Sequence, residues 1–136
     1  MKKQLLLLAM ILLPLIANAH DIEVKNADDV TIYYKWNADK TELSVTYRGN
    51  DPQPYLEYSD NVVIPESVNY EGKDYPVTSI GDWSFCSCPD LTSVTIPNSV
   101  TDIDDYAFNC LSKDEVFVHR NSVNILPKCD FLKYFL

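Results

Sequence analysis

The sequence predicts a mostly-β protein built as a short solenoid, with two to three coils of about 23 residues behind an N-terminal β-hairpin cap. Three observations predict it. A motif recurs at a constant offset of 23 residues. Its units contain a short alternating apolar and polar run closed by proline. The stretch before the first unit reads as two β-branched, aromatic-rich strands joined by a turn.

The amino terminus has the layout of a secretory signal peptide. Lys2 and Lys3 form a positive start, Leu5 to Ile16 an apolar run broken only by Pro14, and Ala17-Asn18-Ala19 a small-residue cleavage site. The run is shorter than the ~20 apolar residues that span a bilayer. Cleavage after Ala19 is expected, leaving no membrane span and a mature part from His20 to Leu136, 117 residues, enough for one domain. No cysteine follows the run to carry a lipid. Residues 1–19 therefore form the leader, 20–60 the β cap and 61–136 the repeats with a degenerate last unit.

In the cap, Val30-Thr31-Ile32-Tyr33-Tyr34-Lys35-Trp36 and Leu43-Ser44-Val45-Thr46-Tyr47-Arg48 flank a turn-like Asn37–Thr41. Such a hairpin would cover a solenoid edge that otherwise invites aggregation. Tyr33, Tyr34, Trp36, Tyr47, Tyr55 and Tyr58 crowd this region, and filling the cap's small core is their expected role.

The repeats are read from alignment within the chain. Val77-Thr78-Ser79-Ile80-Gly81-Asp82-Trp83-Ser84-Phe85 matches Val100-Thr101-Asp102-Ile103-Asp104-Asp105-Tyr106-Ala107-Phe108 at offset 23. Val63-Ile64-Pro65-Glu66-Ser67-Val68 matches Thr95-Ile96-Pro97-Asn98-Ser99-Val100 at offset 32, the excess being one insertion, Asn69 to Val77, with turn residues Glu71-Gly72-Lys73. A fainter copy starts at Val116-Phe117-Val118, 22 residues after Val94-Thr95-Ile96, which puts His119 where Pro97 would recur. One coil of this length cannot bury its own apolar side, so coils stack and share a core. Leu91, Val94 and Ile96 are expected to face inward and Ser93 and Thr95 outward. Ile80, Phe85, Ile103 and Phe108 would form interior ladders, with Trp83 over Tyr106, and Asp104-Asp105 would cap a short helical turn through Phe108.

Leu91-Thr92-Ser93-Val94-Thr95-Ile96-Pro97-Asn98-Ser99-Val100-Thr101-Asp102-Ile103, followed by Tyr106-Ala107-Phe108, resembles the BspA-like leucine-rich repeat of bacterial surface proteins, roughly L-x-x-V-x-I-P-x-S-V-x-x-I-x-x-x-A-F-x-x-C. The preceding unit matches at Ile64-Pro65, Ile80, Phe85 and Cys88, so the likeness covers about Asn61 to Leu111. Cys110 comes two residues after Phe108 instead of three, Asp104 replaces Gly81, and the pattern decays after Ser112. The resemblance implies a leucine-rich-repeat solenoid that binds proteins outside the cell, as in attachment to host matrix or other cells. Ser93 and Thr95 on the outward strand face, with Trp83 and Tyr106, are the candidate binding residues.

Other function classes find less support. The mature chain carries nine cations against twenty acids, a charge of −11, which repels phosphate backbones and anionic membranes and excludes nucleic acid as a natural partner. Export permits disulfides, and Cys86, Cys88, Cys110 and Cys129 allow three pairings. Cys86-Ser87-Cys88 is too close for a zinc loop and no histidine pair follows, so buried thiols packing as small apolar groups are expected. No Ser–His–Asp pattern surrounds His20 or His119, and Gly49, Gly72 and Gly81 build no phosphate loop.

Asp28-Asp29, Asp102-Asp104-Asp105 and Asp114-Glu115 are the only carboxylate groups that suggest a secreted hydrolase or calcium. A glycosidase needs a cleft with carboxyls about 5–9 Å apart, which a short solenoid is not expected to offer. Calcium lacks its loop glycine and distal glutamate. No enzyme, metal or cofactor is expected. The apolar tail Phe131–Leu136 either closes the far end or leaves it open to another chain, so oligomerisation there, or a fragment of a longer surface protein without independent function, stays open.

Overall fold

The computed structural model describes residues 20–49, 58–86 and 88–108, together with the strand backbones of 117–120 and 123–125. The leader, Tyr55, Cys110, Asp114-Glu115, Cys129 and the tail fall outside the described residues. Ten strands and no helix make up the described part: β1 (Ile22–Lys25), β2 (Thr31–Trp36), β3 (Leu43–Thr46), β4 (Asp60–Val63), β5 (Ser67–Tyr70), β6 (Lys73–Ile80), β7 (Leu91–Ile96), β8 (Asp102–Ile103), β9 (Phe117–Arg120) and β10 (Val123–Ile125). The fold is thus the short, mostly-β repeat solenoid expected.

Each coil contributes strands to two sheets. The first runs β1-β2-β3-β6, with β8 and β5 also on β6; the second runs β10-β9-β7-β4. Pairs between coils are parallel, as a winding chain requires: β3 with β6, β6 with β8, β4 with β7, and β7 with β9. The cap is larger than the hairpin expected, because β1 pairs antiparallel with β2 to make a three-stranded meander. Its last strand joins the repeats directly through Leu43↔Val77 and Val45↔Ile80. Asn26 and Asn37 build the two meander turns by accepting backbone N–H bonds on Oδ1, from Asp28 and Val30, and from Thr41 and Glu42. The insertion at Asn69–Val77 is the β5–β6 hairpin, closed by Glu71 and Gly72 at φ 51° and 83°. Positive φ at both central residues is the turn whose twist suits two strands, and glycine takes it at no steric cost.

Bulges explain how residues three apart both face the core. Alternation alone would send Leu91 and Val94 to opposite faces. The β4–β7 register steps from Asp60↔Leu91 to Asn61↔Ser93, so Thr92 is extra and both apolar side chains turn inward, each 0 % exposed. The same device recurs at Leu43↔Val77 and Ser44↔Ser79, where Thr78 is extra and Val77 and Ile80 are both buried. Val62, Ile64, Phe85, Ile96, Val100 and Phe108 complete the repeat core.

Under the cap, Ile32, Tyr34, Val45 and Tyr58 close one end of that core. Burial pushes the Tyr34 hydroxyl's pKa upward. The Tyr58 hydroxyl accepts from the Tyr33 N–H and donates to the Thr46 carbonyl, at 3.2 and 3.0 Å. Tyr33, Tyr34 and Tyr58 are buried, while Trp36 is half-buried, edge-on to Tyr75 at 4.6 Å. Cys88 also lies in the core, consistent with a thiol packed as a small apolar group.

Two expectations are corrected. The third copy sits at offset 24 and not 22: Val94 pairs with Val118 and Thr95 with His119. A slip of two residues preserves the facing of every side chain, which is why composition alone does not detect it. His119 therefore takes the row of Thr95, not of Pro97. Nor do Asp104 and Asp105 cap a helical turn. Residues 105–108 form a non-helical turn with Tyr106 at φ 61°, outside the right-handed helical region. Asp104 acts there through its backbone, donating its N–H to the Ile80 carbonyl at 2.8 Å.

Candidate functional site

The turns that follow β6 and β8 are equivalent and share an unusual backbone. Trp83 and Tyr106, 23 residues apart, both adopt left-handed φ, 60° and 61°. For a non-glycine residue this costs roughly 1–2 kcal/mol. The two rings stack in parallel, 4.9 Å between centroids and 10° between planes, and Tyr106 is 54 % exposed. Two residues on, Phe85 and Phe108 stack inside the core at 5.1 Å and 9°. Each stacked pair contributes about 0.5–1.5 kcal/mol beyond burial, which offsets part of the backbone cost. The structure thus brings Trp83 and Tyr106 together as one outward ladder.

Gly81 and Asp104 hold the same repeat position but not the same surroundings. A Cβ on Gly81 would lie 3.1 Å from the Val45 carbonyl oxygen and 3.3 Å from Ser44 Oγ. Contact with β3 therefore accounts for the glycine. Ser84, beside it, is buried and donates its hydroxyl to the same Val45 carbonyl at 2.9 Å. Ala107, its repeat equivalent, stacks one coil farther from the cap.

On the outer face of the first sheet a groove of about 600 Å³ crosses β2, β3, β6 and the start of the β8 turn. This corrects the expectation that so short a solenoid has no cleft: the meander adds strands to the sheet and widens the face. Lys35, Ser44 and Ser79 line its floor, and Glu42, Asp82, Asp102 and Asp104 supply carboxylates. Two of these are held by neighbouring hydroxyls, Glu42 Oε2 by Thr78 at 3.1 Å and Asp102 Oδ2 by Thr101 at 2.8 Å. Partial burial, and then the like charges of Asp104 and Asp105, hold the Asp82 carboxyl above the ordinary carboxylate range. Among the described residues, no three or more histidine, cysteine or acidic side chains are grouped to hold a metal ion.

Ser93 and Thr95 lie elsewhere, on the second sheet, both half-buried. Ser93 Oγ and Thr92 Oγ1 each donate to Asn61 Oδ1, at 2.7 and 2.9 Å. Thr95 sits in register between Val63, 41 % exposed, and His119. The four candidate residues therefore divide into two places, one on each sheet. Sequence reasoning missed Lys35, Glu42, Ser44, Ser79 and Asp82. The signal for Asp82 was present, because offset 23 sets it against Asp105 in the next coil. Lys35 and Ser44 carried no such signal, since only strand pairing shows them to be neighbours.

A family model described as BspA type leucine rich repeat region (6 copies) matches residues 60–134. No curated protein matches. Among solved structures, a leucine-rich repeat protein from Bacteroides ovatus ATCC 8483 is similar at 28 % identity and TM-score 0.52, covering 74 % of this chain and 25 % of that one. A leucine-rich repeat protein from Bacteroides capillosus ATCC 29799 is 27 % identical at TM-score 0.50, covering 74 % and 66 %. A leucine rich cell surface protein from Faecalibacterium prausnitzii A2-165 is 31 % identical at TM-score 0.49, covering 80 % and 25 %. The chain spans only about a quarter of the length of two of these relatives. Among the described residues, no helix is long and apolar enough to cross a membrane. With more than half of its length inside the family model and the repeat register built into both sheets, the chain belongs to the BspA-type leucine-rich-repeat family.

Proposed function

We propose that this is an exported, non-catalytic binding module that holds an extracellular protein partner against the outer faces of its sheets, as in adhesion to host matrix or another cell. The observation that carries the reading is the groove on the first sheet: a concave surface of mixed polar and apolar lining, held by strands that belong to successive coils. Rigid strands present side chains with little ordering cost on binding, which suits recognition of a macromolecule. Trp83 and Tyr106 flank this face and supply aromatic contact, and Ser93 and Thr95 offer a second polar face. Cleavage after Ala19 delivers the chain outside the cell.

A carboxylate-dependent hydrolase is a poorer reading. Asp82 is the groove acid shifted upward, yet it is exposed, whereas a catalytic acid held protonated at neutral pH needs an apolar enclosure. The test is binding of the purified chain to matrix and bacterial surface proteins by biolayer interferometry. The set includes Ser44→Arg/Ser79→Arg on the first sheet and Ser93→Arg/Thr95→Arg on the second. Loss of a partner with one pair alone locates the surface. Absence of any partner, or binding indifferent to both pairs, overturns the proposal. Mass spectrometry of the secreted chain should begin at His20, and light scattering reports association through the far end.

A further inference from the structure

We infer that the occupant of the first-sheet groove is an extended, basic segment of polypeptide, with its lysine or arginine side chains over Asp82 and Asp104 and its backbone against the Ser44–Ser79 floor. The inference rests on the proposed reading of this face as a binding surface and names the partner's chemistry.

Shape comes first. The volume of about 600 Å³ lies within the range of sites that hold small ligands, about 300–1,000 Å³, too small for a folded partner to enter. The groove crosses four strands, β2, β3, β6 and β8, about 14 Å from first to last at the usual strand spacing. One extended strand with its side chains fits that width, and a folded domain does not enter it. Ser44 and Ser79 face each other in register, so the floor is of small hydroxyls that a peptide backbone can approach.

Charge then selects among extended segments. Four carboxylates line the groove against one ammonium, Lys35, a formal charge of −3. Asp82 is already opposed by Asp104 and Asp105, so a cation laid between them relieves an existing repulsion, which a neutral sugar does not. The stacked Trp83–Tyr106 rings follow Asp82 and Asp105 directly in sequence, and aromatic faces add attraction for ammonium and guanidinium groups. Lys35 lies on β2, across β3 from β6, and there it favours a carbonyl or an acidic residue of the segment, which sets direction. The overall charge of −9 speaks against a nucleic-acid occupant.

Fluorescence anisotropy on the purified chain tests this with labelled decapeptides of alternating lysine, glutamine or glutamate with serine. The lysine peptide should bind at least tenfold tighter than the glutamine peptide, and the glutamate peptide should not bind. Asp82→Asn/Asp104→Asn should weaken the lysine peptide about tenfold or more, and Lys35→Glu should tighten it. Glu66→Gln/Glu71→Gln removes the same charge at exposed positions just before β5 and in the β5–β6 turn, and should change affinity less than twofold. Circular dichroism of each variant checks that the fold is kept. Equal binding of lysine and glutamine peptides, or equal weakening by the Asp82/Asp104 and Glu66/Glu71 pairs, overturns the inference. If a protein partner is still lost with Ser44→Arg/Ser79→Arg, only the basic chemistry falls; if neither peptide nor protein binds, the binding reading falls with it.

Discussion

Replacing Phe85 tests whether the coils cohere through their interior ladder. The ring is fully buried, lies parallel to Phe108 at 5.1 Å, and tilts against Tyr58 of the capped end at 4.9 Å. It therefore ties the cap to two coils. Phe85→Ala removes that contact and leaves a cavity, and such substitutions cost about 3–5 kcal/mol. A domain of this size holds roughly 6–17 kcal/mol in total, at about 0.05–0.15 kcal/mol per residue. The alanine variant thus loses a fifth to most of its stability and is a poor quantitative probe. Phe85→Leu nearly conserves volume and gives up the stack, for an expected loss of about 1–2 kcal/mol. The decisive quantity is the coupling between Phe85→Leu and Phe108→Leu in a double-mutant cycle, expected at about 0.5–1.5 kcal/mol. Urea titration followed by circular dichroism measures it, with the denaturant slope unchanged across the four proteins. Coupling within about 0.3 kcal/mol of zero, the usual additivity limit, would refute coil-to-coil stacking as a source of stability.

Three further substitutions probe the turns and the groove. Tyr106→Gly should be more stable than Tyr106→Ala by about 0.5–1 kcal/mol, because only glycine relieves the left-handed φ of 61°; the reverse order in urea titrations would contradict the backbone assignment. Gly81→Ala should destabilise by about 1–3 kcal/mol, since its Cβ meets the Val45 carbonyl at 3.1 Å, and an unchanged midpoint would show that β3 yields there. A carboxyl raised in the folded state binds protons more readily folded than unfolded, so its share of stability falls as pH rises from its unfolded pKa through its folded pKa. Asp82→Asn should therefore raise the urea midpoint at pH 7 and lose that gain by pH 3; an equal gain at both values would rule out the charge mechanism.

Repeat register was the legible part of this chain, because burial imposes it twice. Val77 with Val100 and Phe85 with Phe108 must both reach one shared core, so the offset of 23 is written in large apolar residues. Where the constraint weakens, legibility goes with it. Ile22–Lys25 is a strand only because Tyr34 and Ile32 pair with it, and four alternating residues beside a cleavage site carry no long-range signal. The helical-turn expectation failed for a different reason. Aspartates before Tyr106-Ala107-Phe108 do resemble a cap, but the turn takes a left-handed backbone at Tyr106, the same as at Trp83, and the two rings stack. Of the candidate residues, the aromatic pair was legible because it repeats. The groove was not, since Lys35, Ser44 and Ser79 meet only after the meander adds its strands to the first sheet.

That addition also decides which face is better suited to recognise a partner. On the second sheet, Thr92 and Ser93 direct their hydroxyls to a single acceptor, Asn61 Oδ1, so their donors are already committed within the surface. A partner there must break bonds before it makes them, and the net value of such an exchange is small. On the first sheet Ser44 Oγ also donates within the surface, to the Val45 carbonyl at 3.4 Å, and the carboxylates differ among themselves. Thr78 and Thr101 satisfy one oxygen each of Glu42 and Asp102, while the carboxylates of Asp82 and Asp104 share a turn region with like charge and gain by meeting a cation. The repeat places outward residues on both sheets with equal regularity. The difference lies in what each row already satisfies, and on that ground the proposed partner is placed over the charged groove, where the like charges of Asp82 and Asp104 remain to be offset.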